Sequence, residues 1–170
     1  MHDERYYDYV SDMWMDCGKE SMKYTDCYYN EHSSRVALLA AEALKISVDK
    51  IMNKEWQNCF AAVRPPGHHA ENKGRIAGFS FINNVAVAAR YAQEVYGIKK
   101  IAIFDWDVHH GDGTQRKLED DPSILFMSLH RYDYGFFYPG DSGSVENIGK
   151  GKGEGYNLNM PWNIVGRTDY

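Results

Sequence analysis

The sequence predicts a three-layer α/β/α fold built on a mainly parallel sheet. Segments of helical periodicity alternate with short apolar runs along the chain. Those runs, at 59–63, 101–104 and 124–129, are apolar on both faces, as strands between two helical layers are. Polar clusters follow Val63, Phe104 and Leu129, at the carboxyl ends where such sheets bind their ligands.

In chain order, Tyr6, Val10, Met13 and Trp14 recur at helical spacing and predict an amphipathic helix over 4–15. Ser33-Ser34 supplies N-caps for a second helix that runs to Asn53. The spacing puts Arg35, Glu42, Lys45 and Asp49 on one solvent face. It leaves Val36, Leu39, Ala40, Ala43 and Leu44 for the core. Cys59 to Val63 reads as a short strand, followed by the loop Arg64-Pro65-Pro66-Gly67-His68-His69. A third helix spans 83–96, opened by Asn83-Asn84 and stopped by Gly97. Ile101 to Phe104 is a strand, 114–119 a short helix, and Ile124 to Leu129 a strand that ends at His130. A glycine-rich loop precedes a last strand over 156–160.

With 170 residues, 44% hydrophobic and 25% charged, the chain has the size of one domain and an ordinary soluble composition. That excludes disordered, collagenous and coiled-coil classes. Lys and Arg number 19 against 24 Asp and Glu, a net charge of −5. Bulk charge therefore gives no basic face for nucleic acid. No apolar run reaches the roughly 20 residues of a membrane span, and residues 1–5 lack a secretory leader's basic and apolar regions. Cys17, Cys27 and Cys59 form no C-x-x-C pair and read as reduced, mostly buried thiols of a nuclear or cytoplasmic protein.

Chemistry concentrates in Asp105-Trp106-Asp107-Val108-His109-His110-Gly111-Asp112. Alternate residues of a strand share a side, so Asp105, Asp107 and His109 converge as the strand runs out. Asp107 and His109 then offer one oxygen and one nitrogen to a borderline divalent ion such as zinc. No cysteine lies nearby, which disfavours a structural zinc. His68 and His69 suit two separate proton handlers, because neighbouring side chains diverge. Asp105 and Asp112 are the spare carboxylates that fix their tautomers. Other signatures fail: His69-Ala70-Glu71 lacks the Pro-Cys-x-x-Cys of zinc deaminases, and there is no H-E-x-x-H.

Four runs resemble the zinc-dependent histone deacetylases: 64–70, 78–88, 105–115 and 128–133. The Arg-Pro-Pro-Gly form and Leu129-His130-Arg131-Tyr132-Asp133 resemble class II, nearer its class IIb branch. The match treats 1–170 as one partial domain, with motifs densest from 59 to 162. The resemblance implies an arginase/deacetylase-like fold truncated at both ends, and hydrolysis of Nε-acetyl-lysine in histones or other proteins. It implies zinc on Asp107 and His109, with His69 as the general base. Asp105 would orient His68, and Asp112 would orient His69. Phe79 and Tyr138 would wall the acetyl-lysine channel, Tyr138 standing where the family usually has Phe. Potassium would use Asp105, Asp107, His109, Ser128 and Leu129, and a second ion Leu118, Asp121, Ile124 and Tyr156. Partners would be acetylated protein tails, with co-repressor or homotypic association, in the nucleus or cytoplasm.

The family's third zinc ligand, an Asp in an Ala-Gly-Phe-Asp context, is not in the sequence, nor is its glycine-flanked oxyanion tyrosine. The loop acids Asp133 and Asp141 are not used by the family pattern. Two rivals follow: an acetylpolyamine deacetylase, and a catalytically silent partner-binding module. Gly111 stands where two-metal arginase-like sites carry their next aspartate, which disfavours that chemistry.

Overall fold

The computed structural model describes residues 30–70 and 76–164. The expected helix over 4–15, Cys17 and Cys27 lie outside the described residues. The chain divides into two compact units, Met1–Ile98 and Lys99–Tyr170.

The first unit holds α1 (Ser33–Met52) and α2 (Asn84–Tyr96), which pack on each other. α2 starts and stops as the sequence indicates. The Asn83 side chain accepts from Ala86 N at 2.9 Å, and Gly97 closes the helix at φ +67°. α1 corrects three expectations. Its N-cap is His32, with no side-chain bond, while Ser33 Oγ accepts from Asn30 N at 3.0 Å. Its inward stripe is Ser34, Ala37, Ala40 and Ala41, whereas Val36 and Leu39 are exposed. Small residues win that face because α2 also presents alanines, Ala86, Ala89 and Ala92, and short side chains let two helices approach closely. Asp49 is no freely solvated charge: its Oδ1 accepts from Tyr91 and Tyr96 hydroxyls, each at 2.8 Å. Those bonds hold the Asp49 carboxyl below its ordinary range and, with burial, push the Tyr96 hydroxyl up to about 12.

The segment Cys59 to Val63 is not a strand. It is irregular, Cys59 is exposed and Phe60 is 91% exposed. An apolar run becomes a strand only where a neighbour takes its backbone hydrogen bonds, and no ladder forms there among the described residues.

The second unit is a parallel sheet in the order β1 (Ile101–Asp105), β2 (Ile124–Arg131), β3 (Asn157–Trp162). α3 (Asp112–Leu118) connects β1 to β2 and begins two residues earlier than the sequence suggests, with Asp112 in its positive first turn. Register places Ile103 beside Phe126, Asp105 beside Ser128, and Ser128 beside Asn159. This face is the buried one along β2 and β3. The other face carries Phe104, Leu129 and Leu158, exposed by 51%, 40% and 48%. Among the described residues no helix is long and apolar enough to cross a membrane.

Candidate active site

In the first unit the loop before α2 is shaped around His69. A Cβ on Gly67 would meet Ile82 O at 2.5 Å and Asn84 N at 2.7 Å, and Asn84 Nδ2 donates to Pro65 O at 3.2 Å. The loop therefore sits directly on the start of α2. Ser80 Oγ accepts from His69 N at 3.4 Å and donates to Gly78 O. Gly78 (φ +50°) and Phe79 (φ +63°) make the turn, and a Cβ at Gly78 would overlap the His69 imidazole. Glycine is required there by both the backbone and the ring beneath it. His69 is 3% exposed, and Phe79 stands out in the open. The two histidines do not diverge as expected. Their ring centroids lie 4.0 Å apart at 50°, where the chain turns at 68–69.

In the second unit, β1 ends at Asp105, so strand alternation does not arrange the motif beyond it. Consecutive Asx turns do. Asp105 Oδ1 accepts from Asp107 N at 3.1 Å, and Asp107 Oδ1 accepts from His109 N at 2.7 Å. The second turn brings Asp107 Oδ1 within 3.1 Å of His109 Nδ1. Two donors on one tetrahedral zinc, each about 2.0–2.1 Å from it, stand about 3.3 Å apart. This oxygen–nitrogen pair fits that spacing and that chemistry. Among the described residues no three His, Cys, Asp or Glu side chains gather where they could hold one ion. Tyr138 meets the His109 ring edge-on, at 5.9 Å between centroids.

Asp112 is 3% exposed, with Arg116 Nη1 3.6 Å from its carboxylate. Ser128 is fully buried and pairs in register with Asp105, while Leu129 is partly exposed. Leu118 O accepts from Asp121 N, Asp121 O from Ile124 N, and Tyr156 O from Phe126 N, which places that group of carbonyls in the turns before β2 and β3. His68, His69 and Phe79 belong to the first unit, and Asp105, Asp107, His109, Asp112, Ser128 and Tyr138 to the second.

Sequence reasoning missed a buried polar network within the second unit. Gln115 Nε2 donates to Ser142 O at 3.1 Å, so its Oε1 faces three donors: His110 Nε2 at 3.0 Å, Asn157 Nδ2 at 3.0 Å and Asn159 Nδ2 at 2.9 Å. His110 Nε2 must then carry the proton, and His110 Nδ1 accepts from Ser142 Oγ at 3.1 Å. By the same bookkeeping His130 Nε2 donates to Gly143 O and His130 Nδ1 accepts from Ser128 Oγ, each at 2.9 Å. Burial, with His130 beside it, lowers His110 to about 4, and burial also lowers His130. Both rings are neutral at pH 7. The available signal was polar residues at period two within apolar strands: Ser128 and His130, Asn157 and Asn159.

Gln115→Ala should leave His110 Nε2 without its acceptor and take one of two from Asn157 Nδ2, whereas Asn159 Nδ2 keeps Ser142 O and Ser144 O. At about 1–3 kcal/mol for each unsatisfied group, with partial relief by water, a loss near 3 kcal/mol is expected in urea unfolding. A loss below about 0.5 kcal/mol would show that the network carries little.

The histone deacetylase domain family matches residues 1–170. Polyamine deacetylase HDAC10 of Danio rerio is 47% identical over 150 residues, 88% of this chain and 22% of that protein. Histone deacetylase 7 of Homo sapiens is 50% identical over 139 residues, 81% of this chain and 14% of that protein. The crystal structure of the HDA15 HD domain superposes with a TM-score of 0.87 at 44% identity, over 95% of this chain and 44% of that one. The chain belongs to the histone deacetylase family, a family of amide hydrolases. Its relatives put it on the class II side of that family. It spans less than a quarter of the length of the two curated relatives quoted.

Proposed function

We propose that this chain contributes to a zinc-dependent site that hydrolyses Nε-acetyl-lysine in proteins and releases acetate. The observation that carries the reading is the approach of Asp107 Oδ1 and His109 Nδ1 to 3.1 Å at the carboxyl end of a parallel strand. Those two atoms would hold the ion. When bound, zinc supplies a Lewis acid and lowers the pKa of a water to about 7. His69 takes the proton of the attacking water and returns it to the departing lysine amine. Its burial under Gly78 fixes the ring in one place for that exchange. Asp105 and Asp112 serve as carboxylate partners of His68 and His69, and Phe79 and Tyr138 as channel walls. Potassium is supported by the pairing of Asp105 with Ser128, whose hydroxyl proton goes to His130 and leaves the oxygen's lone pairs for a cation. Acetylated proteins of the nucleus or cytoplasm are the substrates.

The test is made in a protein that carries this chain within a complete family domain. His69→Ala should leave zinc bound and lower kcat by about 10²–10⁴. Loss of the metal instead would make the histidine pair part of its coordination.

A second reading, acetylpolyamine as substrate, is favoured by the 47% identity with a polyamine deacetylase. Tyr138→Phe discriminates. If the hydroxyl sets channel polarity, the ratio of kcat/KM for acetyl-lysine peptide to that for N-acetyl polyamine shifts several-fold while zinc affinity holds. An unchanged ratio would remove Tyr138 from substrate choice.

A further inference from the structure

The end of β2 does more than close the sheet. Arg131 N donates to Val108 O at 2.9 Å, which ties the strand to the backbone between Asp107 and His109. The Arg131 guanidinium lies over the Phe137 ring, with Cζ 4.3 Å from the centroid. Phe137 in turn stacks on the His109 imidazole, centroids 5.0 Å apart and planes within 7°. The guanidinium is itself fixed. Asp133 Oδ2 accepts from Arg131 Nε and Nη2, each at 2.5 Å, and Asp133 Oδ1 accepts from Ile164 N at 2.6 Å. Asp133 is 2% exposed, and a buried carboxylate with both oxygens engaged cannot swing away without leaving a charge unpaired. Asp133 and Tyr134 both take positive φ, +47° and +57°. Two consecutive non-glycine residues in that region persist only where their surroundings hold them.

A ring engaged by both a guanidinium and an imidazole cannot turn without breaking one contact. A parallel stack also resists rotation of the imidazole about its own Cβ–Cγ bond. That torsion decides whether His109 Nδ1 points at Asp107 Oδ1 or away from it. The geometry points to Phe137, clamped by the Asp133–Arg131 pair, as the positioning residue that sets the plane of His109 and so aims its Nδ1 at the metal position. This rests on the reading of His109 as a metal donor. Residues that orient ligands from outside the coordination shell typically cost 10–100-fold in metal affinity when replaced.

The test is a zinc titration of the chain by calorimetry, with the His109 imidazole NMR signals followed where that ring is present, and thermal melting of the metal-free chain in parallel. Phe137→Leu keeps apolar bulk and removes the flat face, and should raise the zinc Kd about ten-fold. Phe137→Tyr restores the face and should return Kd to within about three-fold of the starting value. Arg131→Met, made together with Asp133→Asn so that no buried carboxylate loses its cation, frees Phe137 without touching His109 and should raise Kd about three-fold or more, so it carries the test if Phe137→Leu fails to fold. A merely structural role would lower the melting temperature of Phe137→Leu and Phe137→Tyr without separating them in Kd. A folded Phe137→Leu chain, or a folded chain with Arg131→Met and Asp133→Asn together, with Kd within two-fold of the parent overturns the proposal. His109→Ala is the control. If it binds zinc as the parent does, His109 is no donor and the functional reading falls along with the proposal. If it loses zinc while the Phe137 and Arg131 variants keep it, the proposal alone falls.

Discussion

His109→Ala is expected to abolish zinc binding and turnover together in a protein that carries this chain within a complete family domain. Asp107 reaches its position because its own carboxylate accepts the His109 amide at 2.7 Å, and the same turn brings His109 Nδ1 to 3.1 Å from that carboxylate. A catalytic zinc ordinarily has three protein ligands and one open position. Removing one of the three leaves a weak pair and a water-filled gap. The alanine keeps the backbone amide, so the Asx turn survives and Asp107 stays in place. The expected loss is therefore specific to the nitrogen donor. Metal analysis of the purified variant and acetate release from an acetyl-lysine peptide decide the matter. One retained zinc with slower turnover would move His109 outside the coordination shell.

The strands of the second unit and α2 of the first were legible in the sequence because each signal was local. Ile101–Asp105 and Ile124–Arg131 are short apolar runs bounded by polar residues, and α2 carries its own start and stop in Asn83 and Gly97. Two kinds of feature escaped. Pairing is non-local, so nothing within Cys59 to Val63 reports that no neighbour among the described residues takes up its hydrogen bonds. Facing is also non-local. The larger side chains Val36 and Leu39 promised an inward stripe on α1, but the alanines of α2 select alanines opposite them. In the site, residue identities were legible and the geometry was not. Asp107 and His109 are brought together through carboxylates capping amides two residues on, not through the strand alternation expected of Asp105, Asp107 and His109. Gln115 and Phe137 gave no motif of their own. Their roles come from what lies against them: three buried donors for one, an imidazole and a guanidinium for the other.

Residues 1–170 expressed alone are expected to bind zinc weakly and to release little acetate. Turnover needs a third metal donor and a second stabiliser of the oxyanion. The described residues bring together Asp107 and His109 and no third donor, and two donors hold a catalytic zinc far less well than three. Asp133 cannot be recruited cheaply: both its oxygens are committed, to Arg131 and to the Ile164 amide. Asp141 begins a 3₁₀ turn that the buried network fixes through Ser142, so bringing it to the ion would break bonds to Gln115 and His110. The oxyanion of an attacked amide also needs a second donor beside the metal, and one such donor is worth about 2.7–4 kcal/mol of barrier. That alone slows turnover by roughly a hundred-fold or more. The partly exposed apolar sheet face of Phe104, Leu129 and Leu158 adds a tendency to associate, so the measurement is made on the monomeric fraction from size exclusion. Near one zinc per chain with multiple turnovers from an acetyl-lysine peptide would show that the chain completes its own site, and that a donor set beyond Asp107 and His109 is present.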